Sequence, residues 1–305
     1  MKILSLGESL IDVVHSGDST AEHVGGSILN VACGLGRLGH DSTLACWMGR
    51  DDRGRRIAEH VAASGATLHP GSDGAERTPV AYAELDAAGK ASYTFELACD
   101  LPDLSDLDAY GHVHTGSIGA TTEPGGTKVA AAARAASGAT VSYDPNSRPA
   151  LMGSPADVLG RVEDLVSLSD VVKASDEDLE WLYPDRAYLE SAAAWLAMGP
   201  GLVVVTRGAA GAQALTADGA VHDVPPMDAV VVDTVGAGDS FMAGLISGLA
   251  DLDLLGSAEA GERLRAASWE ELAPALRRAV TTSAITVSHA GAYGPTRDEV
   301  GPLLG

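Results

Sequence analysis

The segment Asp233-Thr234-Val235-Gly236-Ala237-Gly238-Asp239-Ser240-Phe241 holds the residues best suited to chemistry. Phe241, Leu245 and Leu249 recur every fourth position, the spacing of one helix face. Val230-Val231-Val232, just ahead, reads as the end of a strand. Gly236, Ala237 and Gly238 then turn a strand into a helix N-terminus, with Asp239 in the first turn. Helix N-termini present unpaired N–H groups and partial positive charge, which hold a phosphate or a developing oxyanion. A carboxylate beside an anion is repelled by it. It has a task there if it takes the proton of a hydroxyl that attacks the phosphate. Without that task, Asp239 is a first-turn partner of the helix dipole.

Four further clusters follow the same logic. Gly25-Gly26-Ser27-Ile28-Leu29-Asn30 opens a helix closed by Gly39. Paired glycines let a ligand approach the backbone, and Asn30 lies about one turn into the helix. Asp12 stands just past the first strand, where ligands of open α/β sheets sit. Asp144-Pro145-Asn146-Ser147-Arg148-Pro149 is a loop stiffened by two prolines, and its Arg148 could neutralise a phosphoryl group. Lys173-Ala174-Ser175-Asp176-Glu177-Asp178 opens a helix, and a plain N-cap with first-turn acids explains it equally well. Gly34-Leu35-Gly36-Arg37-Leu38-Gly39 fits the G-x-G-x-x-G pattern of dinucleotide sites but lies in a helix that leads into a strand, the reverse of what such a site needs. Its glycines are read as packing and cap positions.

These residues need a scaffold. Ile3–Leu6, Leu44–Trp47, His112–His114, Thr140–Tyr143, Val171–Lys173 and Leu202–Thr206 read as short buried strands. Ser27–Leu38, Arg53–Ser64, Thr127–Ser137, Ala156–Leu168, Asp176–Leu182 and Tyr188–Met198 read as helices. That alternation predicts a mostly parallel sheet with helices on both faces. Residues 11–24 and 78–97 break the rhythm, and the second stretch carries a hairpin signal around Asp86-Ala87-Ala88-Gly89. They predict a small β-sheet, either a lid or an idle edge hairpin.

With 305 residues, 46% of them hydrophobic, the chain suffices for one large domain. No apolar run reaches the ~18 residues of a membrane span. The start at Met1 lacks a signal peptide's apolar core, which points to the cytoplasm. Cys33, Cys46 and Cys99 are odd in number and far apart, so neither a disulfide framework nor a metal pair is expected. A net charge of −22 argues against nucleic acid as a partner.

The string around Asp239 resembles the signature of the ribokinase-like (PfkB) carbohydrate kinases, and its Asp233-Thr234-Val235 lead-in is most similar to the fructokinase branch. Gly25-Gly26 with Asn30 resembles the family's sugar-binding motif, and Asp144-x-Asn146-x-Arg148 an element of fructokinases and ketodeoxygluconate kinases. The resemblance implies a three-layer α/β/α core from residues 1–11, 25–75 and 99–305, with a β-lid from 12–24 and 76–98. It implies that Asp239 is the catalytic base, and that Gly236, Ala237 and Gly238 form the anion hole. Asp12, Gly25, Gly26, Asn30 and Arg148 would bind the sugar. Ser175, Asp178, Thr206, Gly208 and Gly211 would meet ATP, with Asp178 ordering Mg2+ through water and Asp233, with the Val235 carbonyl, holding a monovalent cation such as K+. Ala284–Gly291 would close the adenine pocket, and relatives pair their lids into homodimers. This chain has Ser175 where the family often has Asn, and Asp178 where it often has Glu. Fructose is the expected acceptor. A ketodeoxygluconate kinase would turn Arg77 or Arg148 to a substrate carboxylate, and a nucleoside kinase would stack a base on Tyr82, Tyr93 or Phe95. A catalytically dead sugar-binding regulator is the rival from another class, and a dehydrogenase the weakest one.

Overall fold

The computed structural model describes residues 1–16, 19–85 and 91–303. Its strands, in chain order, are Lys2–Leu6 (β1), Leu10–Ser16 (β2), Ser19–Gly25 (β3), Asp41–Ala45 (β4), Thr67–Leu68 (β5), Val80–Leu85 (β6), Ala91–Glu96 (β7), His112–Gly116 (β8), Thr140–Asp144 (β9), Val171–Ser175 (β10), Leu202–Thr206 (β11), Ala212–Thr216 (β12) and Val221–Val224 (β13). They form a nine-stranded sheet ordered β13-β12-β11-β10-β9-β8-β1-β4-β5 and a four-stranded sheet ordered β3-β2-β6-β7. From β11 to β5 every pairing in the large sheet is parallel, whereas β12 and β13 fold back antiparallel. The inner strands are short runs rich in β-branched residues, and β8 and β9 are buried at every position. Such strands suit a sheet covered on both faces.

Helices supply both covers. Leu4, Leu6, Val113, Val141, Val172 and Val203 point to the face packed by Gly125–Ala135, Pro155–Ser167, Asp176–Leu182 and Tyr188–Leu196. Ile3, Val171, Leu202 and Val204 point to the other, under Ser27–Arg37, Ala237–Asp251 and Trp269–Val287. The last two helices pack closely because Gly244 and Gly248 bare their backbone. A Cβ at Gly248 would lie 2.6 Å from Ala275 Cα.

The small sheet grows out of the end of β1, and β2 pairs parallel with β6. β6 and β7 form the predicted hairpin; its turn, Asp86–Gly89, lies outside the described residues. Ile11, Val13 and Val80 seat this sheet on Ile28, Leu29 and Leu44 of the core.

Two expectations are corrected. Val230–Val232 is not a strand: β12 and β13 already extend the sheet beyond β11, and the valines stand 80%, 65% and 61% exposed in a loop. That loop is held by Val232 N–H donating to the Val287 carbonyl. The strand expected at Leu44–Trp47 is β4, Asp41–Ala45, in register with β1. The antiparallel strands β12 and β13 go unforeseen. In Gly34–Gly39 the helix ends at Arg37, Gly39 takes φ +82°, and a Cβ at Gly36 would strike the backbone of Ser64 and Ala66.

Candidate active site

Parallel strands point their carboxyl ends one way, so β1, β9, β10 and β11 deliver Glu8, Asp144, Ser175 and Thr206 to the same edge. The helix Ala237–Asp251 enters that edge by its N-terminus. Its N-cap, Gly236, has φ +75°, left-handed backbone that glycine takes at no steric cost. A side chain at Gly236 would also strike Ala292. Ala237 N–H is turned onto the Thr234 carbonyl at 3.2 Å. The N–H groups of Gly236, Gly238 and Asp239 find no partner among the described residues and stay free for an anion.

Asp239 lies in the first turn, buried, and its carboxylate gathers three donors. Ser27 Oγ donates to Oδ1 at 2.7 Å, Asn30 Nδ2 to Oδ2 at 2.8 Å, and Asn146 Nδ2 to Oδ1 at 3.3 Å. Asn146 also donates to Ser27 Oγ at 2.7 Å. The loop after β9, the Gly-Gly helix and the Gly-Ala-Gly helix thus converge on one carboxylate. Asn146 reaches inward from a φ of +36°. Arg148, expected to be the more important of the two, is exposed, and its Nη1 curls back onto Asn146 Oδ1 and the carbonyls of Asn146 and Ser147.

On the small-sheet side, Asp12 pairs with His23 across β2 and β3. A Cβ at Gly25 would sit inside the Asp12 carboxyl group. Burial raises the Asp12 pKa, against the opposing charges of His23 and Arg148. Gly26 has φ +116°, and a side chain there would meet the Glu8 carbonyl.

Two buried groups at this edge escaped the sequence reading. Glu8 accepts from Ser27 N–H and Gly119 N–H, both at 3.0 Å, and so clamps the Gly-Gly turn. Burial pushes its pKa up to about 7. Lys173 Nζ donates to Asp144 Oδ2 at 2.7 Å, with both side chains all but inaccessible. Burial alone would lower the lysine pKa, but Asp144, Asp178 and Asp239 overcome it and keep the ammonium charged. Both residues carry a signal only in hindsight: a charged residue inside an otherwise apolar strand or at its end.

The remaining predicted residues are spread along the strand ends. Asp178 and Ser175 form a capping box. Asp178 Oδ2 accepts from Ser175 N–H and Oγ, and Oδ1 accepts from Ser147 N–H at 2.6 Å. Thr206 ends β11, and Gly208 and Gly211 shape the turn into β12, where a side chain at Gly211 would strike the Val224 carbonyl. Asp233 accepts from Val235 N–H at 3.0 Å and Gly291 N–H at 2.8 Å, which lower its pKa and tie the anion turn to the 288–291 loop.

A buried carboxylate ringed by hydroxyl and amide groups, beside free N–H groups at a helix N-terminus, fits phosphoryl transfer to an alcohol. The chain belongs to the pfkB family of carbohydrate kinases, whose family model matches residues 2–299. It is 36% identical over 262 residues to a fructokinase of Rhizobium leguminosarum bv. trifolii, spanning 81% of this chain and 79% of that protein. A solved fructokinase of Xylella fastidiosa with bound ATP superposes at a TM-score of 0.82 and 26% identity, covering 98% of this chain and 96% of that one. A Vibrio cholerae O395 fructokinase double mutant in its fructose-, ADP- and potassium-bound form gives 0.80 at 26% identity, with the same coverage. The protein is therefore a phosphotransferase that acts on a sugar hydroxyl.

Proposed function

We propose that the protein is an ATP-dependent fructokinase, transferring the γ-phosphoryl group to a primary hydroxyl of fructose. The observation that carries the site assignment is Asp239, whose two oxygens hold Ser27, Asn30 and Asn146 beside free helix N–H groups. In this reading fructose enters between Asp12, Gly25, Gly26, Asn30 and Asp239, and displaces part of that network with its own hydroxyls. Asp239 accepts the proton as the hydroxyl oxygen bonds to the γ-phosphorus. The bond from that phosphorus to the ADP oxygen breaks, and the N–H groups of Gly236, Gly238 and Asp239 take up the charge. ATP lies along Ser175, Thr206, Gly208 and Gly211, with the 284–291 segment against its base. The small sheet closes as a lid that keeps water from the phosphoryl group.

Mg2+ neutralises phosphate charge when bound. Among the described residues no group of three or more acidic, His or Cys side chains could hold a metal ion alone. Asp178 suits a water-mediated contact to an ion carried mainly by the phosphates. Asp233, ionised, and the Val235 carbonyl suit a monovalent cation. β3 and β7 are the outer strands of the small sheet, where two lids would pair into a homodimer. Buried free thiols at Cys33, Cys46 and Cys99 fit a reducing cytoplasm, and no helix among the described residues is long and apolar enough to cross a membrane.

Release of ADP measured over fructose, ribose, ketodeoxygluconate and adenosine tests the acceptor. Fructose should give the highest kcat/KM, and preference for another sugar would replace the assignment. Asp239→Asn should lower kcat at least ~10²-fold while fructose still binds. Near-normal turnover would remove Asp239 from the role of base.

A further inference from the structure

The charge-bearing residues under the anion turn divide unevenly. Glu8, Asp144, Asp178 and Asp239 are all buried there, and Lys173 is the one buried lysine among the described residues. Lys173 stands on β10 in register with Val204 of β11 and two residues beyond Val171, which pairs with Ser142 of β9. It therefore faces the layer that holds the helix Ala237–Asp251. Its Nζ comes so near the helix terminus that a Cβ at Gly238 would lie 3.1 Å from it. Gly238 thus leaves no side chain between the ammonium and the helix mouth.

An ammonium has three N–H donors and accepts nothing. Among the described residues Lys173 uses one, on Asp144. The side chain is only 4% exposed, so bulk water does not serve the other two. Asp144, Asp178 and Asp239 balance its charge, but two of its N–H donors find no acceptor among the described residues, and a buried donor without one is costly. The neighbouring free N–H groups already mark where an anion would sit.

We infer that Lys173 is the fixed positive charge of the phosphoryl site, acting together with the helix N–H groups through the gap at Gly238. This rests on the kinase reading above and adds a residue to it. A strand lysine then does what the lysine of a Gly-rich phosphate loop does elsewhere, which this chain lacks. Asp144 orients the ammonium and, through Oδ1 accepting Asn146 N–H at 3.2 Å, ties it to the loop that reaches Asp239. The alternative is that Lys173 does no more than neutralise Asp144.

The two readings separate when both charges are removed. Lys173→Met with Asp144→Asn keeps volume and internal neutrality, so the melting temperature should stay within a few degrees of wild type. Calorimetric titration of the whole protein with ATP and with adenosine then reads the phosphate contribution. The double variant should bind ATP at least about tenfold more weakly, while adenosine affinity stays unchanged. Unchanged ATP affinity would overturn the inference. Asp144→Asn alone serves as a second probe, also if the double variant fails to fold. It keeps the cation and frees it, so ATP should bind as tightly as in wild type or more tightly, and a tenfold loss confined to ATP would overturn the inference. These titrations contain no sugar, so a wrong acceptor leaves them intact. Wild-type protein that fails to bind ATP would overturn the inference and the kinase reading together.

Discussion

Glu8 shows how a single buried group can be both structural clamp and pH-dependent weakness. Its two oxygens accept backbone N–H groups from Ser27 and Gly119, which favour the carboxylate, but burial outweighs them and raises the pKa from 4.5 to about 7. A carboxyl group whose folded pKa exceeds its unfolded one binds more protons when folded between those two values. Its contribution to stability is full below about pH 4.5 and is lost as the pH rises through 7. His40, His112 and His114, whose pKa values burial lowers, work the other way and lose stability as the pH falls below 6.5. The comparison that isolates Glu8 is therefore with Glu8→Gln, which mimics the protonated form. Melting curves between pH 5 and 8 should show the wild type losing stability relative to Glu8→Gln as the pH rises, and parallel curves would refute the assignment. The opposite lesson comes from Arg148 and Asn146. Charge made the arginine look the stronger candidate, yet the left-handed backbone at Asn146 turns the amide inward and leaves the guanidinium outside.

At the scale of elements, glycines decide where helices and strands can go. Gly25 gives way to the Asp12 carboxyl group, which a methyl group would displace. Gly25→Ala should raise KM for the sugar at least about tenfold, the effect of about 1.4 kcal/mol, with kcat less affected; steady-state kinetics in the sugar tests it. Gly248 is a stricter case because two effects oppose one another. Alanine is favoured over glycine inside a helix by about 1 kcal/mol. Against that, the new methyl group would press on Ala275 Cα, and overpacking costs about 1–3 kcal/mol. Backbone, unlike a flexible side chain, cannot step aside, so Gly248→Ala should lower the melting temperature. An unchanged or higher value would mean that the helix Trp269–Val287 shifts without loss.

For the molecule as a whole, the large sheet is a device for bringing distant sequence to one edge. Residues 8, 27, 144, 173 and 239 meet because parallel strands share a direction and the helices return the chain behind them. The small sheet stands over that edge with β3 and β7 as its outer strands. If two lids pair in solution, sedimentation equilibrium will give twice the chain mass, and deleting residues 86–90 should leave the core folded as judged by circular dichroism. A monomer at all concentrations would sink the lid-pairing proposal.

Local sequence determined the local things. Periodicity and caps marked six helices to within a few residues, short β-branched runs marked the inner strands, and the Gly-Ala-Gly-Asp string located a helix mouth with an acid in its first turn. Val230–Val232 misled because a β-branched run is a strand only if a ladder partner is free, and β12 and β13 already hold that side of the sheet. Tertiary structure alone decided which side chains face Asp239, since Ser27 and Asn146 lie 212 and 93 residues away in sequence. It alone placed Glu8 and Lys173 out of reach of water, and burial, which no sequence window records, is what turns an ordinary carboxyl and an ordinary ammonium into groups with a task.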